Sequence, residues 1–224
     1  MRPPRVWLFD LDDTLHDAAH ASMAQLRVSF GEYIQQQLQL SRAQADQLRG
    51  RYWQRYGATL LGLVRHHGVD AAHFLEVTHR LPGLEQRVRG HRPDLAALAA
   101  LPGRRYVLTN APAAYAARVL AALGARRLFD GVISIEDMYL FGQLRPKPDA
   151  RMLRRLVARL RVPAARCVLV EDTLQHQKAA RRVGLQTVWM QRWLTAARYP
   201  RACRRPAYVD LKTRRLRELR RRFG

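Results

Sequence analysis

The chain has 224 residues, 48% of them apolar, which is enough for one core domain with a smaller insertion and argues against wholesale disorder. Forty Lys plus Arg stand against eighteen Asp plus Glu; the net charge of +22, nearly all from Arg, favours anionic partners without specifying a reaction. No apolar stretch could span a bilayer, VWLF before Asp10 is too short for a signal-peptide core, and Cys167 and Cys203 make neither a disulfide scaffold nor a zinc box.

The expected location is cytoplasmic, where both thiols stay reduced. Arg5–Phe9, reading RVWLF, predicts a short buried strand, and the polar DLDDTLHD follows at once. From about Ala18 to Glu85 the pattern turns helical, with segments near Ala18–Leu38, Arg42–His67 and Ala71–Leu81. Ser41 can cap the second segment, and Pro82-Gly83 breaks the chain after the third. A β/α rhythm then resumes. Helices are expected at His91–Leu101, Ala113–Leu123, Ala150–Leu160 and Gln175–Val183, and strands at Arg105–Leu108, Val132–Ile135, Cys167–Val170 and Thr187–Met190. Short apolar strands alternating with helices predict an α/β fold, its mostly parallel sheet covered on both faces. The early helical block then reads as an inserted helical cap, residues 17–85, with 1–16 and 86–224 forming the catalytic core. Near the end, Ala207–Val209 reads as a short strand. Leu211, Leu216, Leu219 and Phe223 punctuate a basic run that could dock, bind an anionic partner or fray.

Asp10-Leu11-Asp12-Asp13-Thr14 directly follows the first strand, at the sheet edge where open α/β folds place ligands. Asp10 can attack phosphorus as a nucleophilic carboxylate, and Asp12 is near enough to protonate the leaving oxygen and then activate water. Such a concentration of carboxylate around phosphate calls for a hard divalent cation, and oxygen-rich ligation favours Mg2+. Asp10, the Asp12 carbonyl and Asp172 are the expected ligands, with Glu171 direct or through water. Thr109-Asn110 ends the second strand and can offer phosphate a hydroxyl and a backbone amide. Lys147, within RPKP, can neutralise Asp10 and the transferring group.

These motifs together resemble the haloacid dehalogenase-like hydrolase superfamily across nearly the whole chain. DLDDT matches its nucleophile and acid/base pair, Thr109 its hydroxyl position, Lys147 its basic position, and Glu171-Asp172 its later acidic motif. The resemblance implies a Rossmann-like core, phosphoaspartyl transfer and a cap inserted after the first strand. Asp12 favours a phosphatase over a dehalogenase, whose chemistry has no need of that acid. His176 departs from the pattern: it stands four residues beyond Asp172, where the family usually has Asp or Asn.

FDLDDTLHD, RPKP and VEDT together look like the pyrimidine 5′-nucleotidase-like branch, which implies a nucleoside monophosphate; related caps accept sugar phosphates or phosphoglycolate. Candidate substrate contacts are Thr109, Asn110 and Lys147, then His16, Asp17, Arg51, Tyr52 and Arg55. Turn, capping, packing and solvated roles are the competing readings for the last five. Trp53 and Tyr56 share the face of Tyr52 and read first as bundle packing. A sugar-phosphate mutase uses the same nucleophile. A nonenzymatic binder, making nucleic-acid contact through the basic surface around Arg214–Arg222, is the alternative of a different class. Oligomeric state is not legible.

Overall fold

The computed structural model describes residues 4–194 and 204–223; Cys203 lies outside them, while Cys167 is a buried free thiol. The first strand, β1 (Val6–Phe9), is buried at all four positions, as a continuous apolar run at the centre of a sheet should be. Six helices follow before the chain returns towards the sheet: α1 (Ala18–Ala21), α2 (Met23–Leu38), α3 (Arg42–Tyr56), α4 (Thr59–His67), α5 (Ala71–Thr78) and α6 (Leu84–Arg87). Next come α7 (Arg92–Ala99), β2 (Arg104–Leu108), α8 (Ala113–Ala122), β3 (Gly131–Ile133) and a hairpin of β4 (Tyr139–Leu140) and β5 (Gln143–Leu144). The remaining elements are α9 (Ala150–Leu160), β6 (Cys167–Glu171), α10 (Leu174–Val183), β7 (Gln186–Met190), β8 (Leu211–Thr213) and α11 (Glu218–Phe223).

The main sheet is parallel throughout, in the order β3-β2-β1-β6-β7-β8. Side chains alternate across it. Trp7, Phe9, Val107, Val168 and Val188 face a core shared with α7, α8 and α11. Val6, Leu8, Leu108, Cys167 and Leu169 face the other, under α9 and α10. The result is a Rossmann-like core with a helical cap at its edge.

A third cluster gathers Tyr33, Ile34, Ala45, Tyr52, Leu63 and Phe74 from the helices between β1 and β2, and Ile135 and Leu144 from beyond β3 join it. The inserted helices therefore have an apolar centre of their own.

The chain runs from β1 outward to β3, then returns to lay β6 on the other side of β1. That reversal makes the crevice between the carboxyl ends of β1 and β6 the place where such sheets bind ligands. Register confirms the alignment: Phe9 pairs with both Val107 and Val170, so Asp10, Thr109 and Glu171 emerge at one edge.

Several boundaries differ from expectation. The helix expected over Ala18–Leu38 breaks at Ser22, whose hydroxyl is drawn to Tyr115 at 2.8 Å. The one expected over Arg42–His67 breaks at Gly57, which caps α3 with a φ of 76° open to glycine. The strand expected at Ala207–Val209 lies instead at Leu211–Thr213. Val209 is buried in the preceding turn, where its N–H donates to Pro206, and the carbonyl of Tyr208 accepts from Thr187 Oγ1. The basic run docks. Leu216, Leu219 and Phe223 are buried while Arg217 and Arg220–Arg222 face outward, and Asp94 accepts both the Leu216 N–H and Arg192 Nε. Among the described residues no helix is long and apolar enough to cross a membrane.

Candidate active site

The loop after β1 is folded tightly. Asp10 N–H continues the ladder to the Val170 carbonyl at 2.9 Å. Asp13 adopts a φ of 57°, a left-handed conformation that Asp tolerates, and its carboxylate accepts from Ala19 N–H. The loop thus turns back on itself and sets Asp10, Asp12 and Asp13 on the wall of one cavity of about 720 Å³.

Lys147 is fully buried and bridges the two sides of the crevice, donating to Asp10 Oδ1 at 2.6 Å and Glu171 Oε2 at 2.8 Å. Its own backbone is clamped by Asn110, whose amide donates to the Lys147 carbonyl and accepts its N–H, both at 2.9 Å. Asn110 therefore ties the end of β2 to the lysine. Thr109 Oγ1 accepts from Ala111 N–H at 3.0 Å, and its hydroxyl proton remains available to the cavity.

Glu171 is held from several sides. Thr173 N–H reaches Oε1, Lys147 and His176 Nδ1 reach Oε2, and Gln177 Nε2 reaches the carbonyl. Trp189 Nε1 donates to the Asp172 carbonyl at 2.9 Å. His176 thus acts on the acidic motif as a hydrogen-bonding partner of Glu171, 3.0 Å away.

Charge in the crevice is unbalanced. Burial, followed by the charge of Glu171, pushes the Asp10 carboxyl up to about 8 against the pull of Lys147. For Glu171 burial acts upward too, but Lys147 and His176 outweigh it and hold the group well below the carboxylate range. Lys147 loses stability as a cation by burial and regains more from Asp10 and Glu171, so its net shift is upward. One buried lysine does not satisfy this many carboxylates. Ligand atoms of Asp10, Glu171 and Asp172 lie within 4.8 Å of one another, an all-oxygen set that fits a hard divalent cation.

Asp12 is turned to different partners. Its Oδ1 accepts from Tyr115 OH and from His16 Nε2, each at 2.8 Å, and the Ser22 hydroxyl meets the Tyr115 oxygen at 2.8 Å. His16 Nδ1 is buried without a hydrogen-bond partner, so the ring is held to Asp12 through Nε2 alone. Burial pushes the Asp12 carboxyl up, but the hydrogen bond and charge of His16, then the Tyr115 hydroxyl, more than offset it and leave it below its ordinary value.

Asp10, Asp12, Thr109, Asn110, Lys147, Glu171 and Asp172 thus share one cavity. His16 and Asp17 lie behind its wall: the first holds Asp12, and the second caps α1 through His20 N–H. Arg51, Tyr52 and Arg55 also miss the wall. The Tyr52 ring lies on Gly62, where an added Cβ would sit 2.1 Å from it, and Tyr52 OH meets His67 Nε2 at 2.7 Å. The face of α3 that reaches the cavity carries Arg49 and Trp53. His79 also reaches it; burial holds this imidazole down at about 4, hence neutral. Sequence reasoning missed Tyr115, His79 and Arg49. The one available signal was that Tyr115 opens the helix after Thr109-Asn110, at the same sheet edge.

A parallel α/β sheet with a buried lysine-carboxylate cluster at its switch point defines a class of hydrolase. The chain belongs to the haloacid dehalogenase-like hydrolase family, whose model matches residues 4–184. Among solved structures it resembles a haloacid dehalogenase-type (HAD) phosphatase from Thermococcus onnurineus, at 22% identity over 98% of each chain with a TM-score of 0.66. The HAD hydrolase YfnB of Bacillus subtilis, solved bound to magnesium, is 18% identical over 98% of this chain and 97% of its own, with a TM-score of 0.60. A 2-haloacid dehalogenase from Pseudomonas syringae pv. Tomato is 20% identical over 98% and 96%, with a TM-score of 0.59. At these identities the likeness is one of fold.

Proposed function

We propose that the protein is a magnesium-dependent phosphomonoester hydrolase working through a phosphoaspartate on Asp10. The observation that carries this reading is the placement of Asp12 on the same wall as Asp10, with Oδ1 anchored by Tyr115 and His16. A dehalogenase would have no use for that second acid.

Asp10 attacks phosphorus, the bond to the leaving oxygen breaks, and Asp12 gives that oxygen its proton. Asp12 then takes a proton from water as the water attacks phosphorus, releasing inorganic phosphate and restoring Asp10. In the free site Asp12 is ionised, the form required for the second half. The negative charge of an arriving phosphate favours the protonated form required for the first. Lys147 and the Thr109 hydroxyl stabilise charge on the equatorial oxygens. Asp10, Asp172, the Asp12 carbonyl and Glu171, direct or through water, would hold Mg2+, which offsets carboxylate and phosphate charge when bound. Residues 17–85 act as the cap over a core of 1–16 and 86–224.

The substrate is a small phosphate ester, with a nucleoside monophosphate as the first member to try on the strength of the DLDDTLHD, RPKP and VEDT motifs. A panel of nucleotides, sugar phosphates and phosphoglycolate with Mg2+ tests the reading. Phosphate release in proportion to substrate, abolished in D10N protein, is expected. Near-normal activity in D10N would refute the mechanism, and an isomeric phosphosugar as product would make the enzyme a mutase.

A further inference from the structure

We infer that the cavity selects phosphate esters whose leaving group carries a second anionic group, a carboxylate or another phosphate, received by Arg49 and Arg27. This deepens the phosphatase reading and rests on it. The two walls of the cavity differ in charge. The wall from the core holds Asp10, Asp12, Asp13, Glu171 and Asp172, and it is the end where phosphoryl transfer is placed. The wall from α2 to α5 is apolar apart from Arg27, Arg49, Thr59 and His79, and among the described residues it contributes no carboxylate.

Arg49 is poorly satisfied within the protein. Its Nε is buried without a hydrogen-bond partner, and its ion pair with Asp46 is 3.5 Å long. Asp46 is already engaged by Arg42 at 3.2 Å. Thr59 Oγ1 donates to the Arg49 carbonyl at 3.2 Å, fixing α4 to the turn of α3 that carries the arginine. Trp193, which lines the same cavity, has in Nε1 another buried donor without a partner.

Trp53, 59% exposed, and Phe30 add flat apolar surface beside these donors. A neutral leaving group would cover the guanidinium groups without answering their charge. An anion answers the charge and supplies acceptors, and hydrogen bonds between ionised groups are the stronger kind. The combination fits an acidic group on an apolar or ring-shaped body better than a bare sugar.

Three aryl phosphates of similar shape test this with the full chain and Mg2+: 4-carbamoylphenyl, 4-carboxyphenyl and 4-(phosphonomethyl)phenyl phosphate. At least one anionic ester should exceed the amide by about tenfold or more in kcat/KM, mainly through KM, as expected for a charge-assisted contact. Whichever leads identifies the second group as carboxylate or phosphate. The ratio should fall towards one in the R27Q/R49Q variant. Single R27Q and R49Q proteins, checked by circular dichroism, cover the case in which the double variant fails to fold; at least one must lower the ratio. Equal values for all three esters, or a ratio that survives these substitutions, would overturn the subsite. Failure to release phosphate from any ester, 4-nitrophenyl phosphate included, would instead overturn the hydrolase reading beneath it.

Discussion

Lys147 is one of three lysines among forty basic residues, and its ammonium is buried between two carboxylates. A compact ammonium donates to Asp10 and Glu171 from one point, a geometry the larger planar fork of Arg does not reproduce. Lys147→Arg should therefore lower kcat by roughly a hundredfold or more, as loss of a positioned charge does; wild-type kcat in this variant would contradict the geometry. Tyr115→Phe removes one of two anchors on Asp12. Its loss of kcat should be roughly tenfold greater for an alkyl phosphate than for 4-nitrophenyl phosphate, whose leaving group needs less acid. A merely structural defect would slow both equally. For Asp10, the native value near 8 lies above the unfolded one, so the native site binds the extra proton between those limits. Without metal this group's contribution to stability falls as pH rises through that window. Metal binding must displace the proton, so Mg2+ should raise Tm more at pH 8 than at pH 6. An equal shift at both would argue that Asp10 is not a ligand. DLDDT and VED were legible because each is contiguous and ends a strand. Tyr115 was not, because it reaches Asp12 across 103 residues and nothing local marks the contact.

At the scale of elements, the inserted helices depend on close approach as well as apolar pattern. The Tyr52 ring occupies the space a Cβ on Gly62 would need. Gly62→Ala should destabilise the protein by about 1–3 kcal/mol through overpacking, measured by urea unfolding. An unchanged midpoint would show that α3 and α4 are not packed this way. The helical block was readable from periodicity, but its breaks were less so. Ser22 and Gly57 interrupt patterns that continue on both sides, and only the tertiary bond to Tyr115 or the positive φ decides the break. The β4–β5 hairpin escaped notice because two-residue strands are too short to show alternation. The strand placed at Ala207–Val209 went four residues astray, because burial of Val209 in a turn imitates burial in a strand.

Across the whole molecule, a net charge of +22 surrounds a cavity whose floor is acidic. On the proposed function, exposed arginines such as those on α9 and α11 would draw phosphate esters in by their field, and the carboxylate cluster at the switch point would draw a cation. Raising ionic strength should therefore lower kcat/KM while leaving kcat nearly constant; an equal fall in both would place the salt effect on the reacting groups instead. The parallel sheet was legible because alternating short apolar strands and helices leave few other arrangements. On the proposed mechanism phosphate passes through Asp10. Turnover of a radiolabelled ester, stopped in acid within the first cycle, would trap that intermediate. Label on the peptide that contains Asp10, removed by hydroxylamine and absent from D10N, is the expected result; label elsewhere, or none while phosphate is being released, would contradict it.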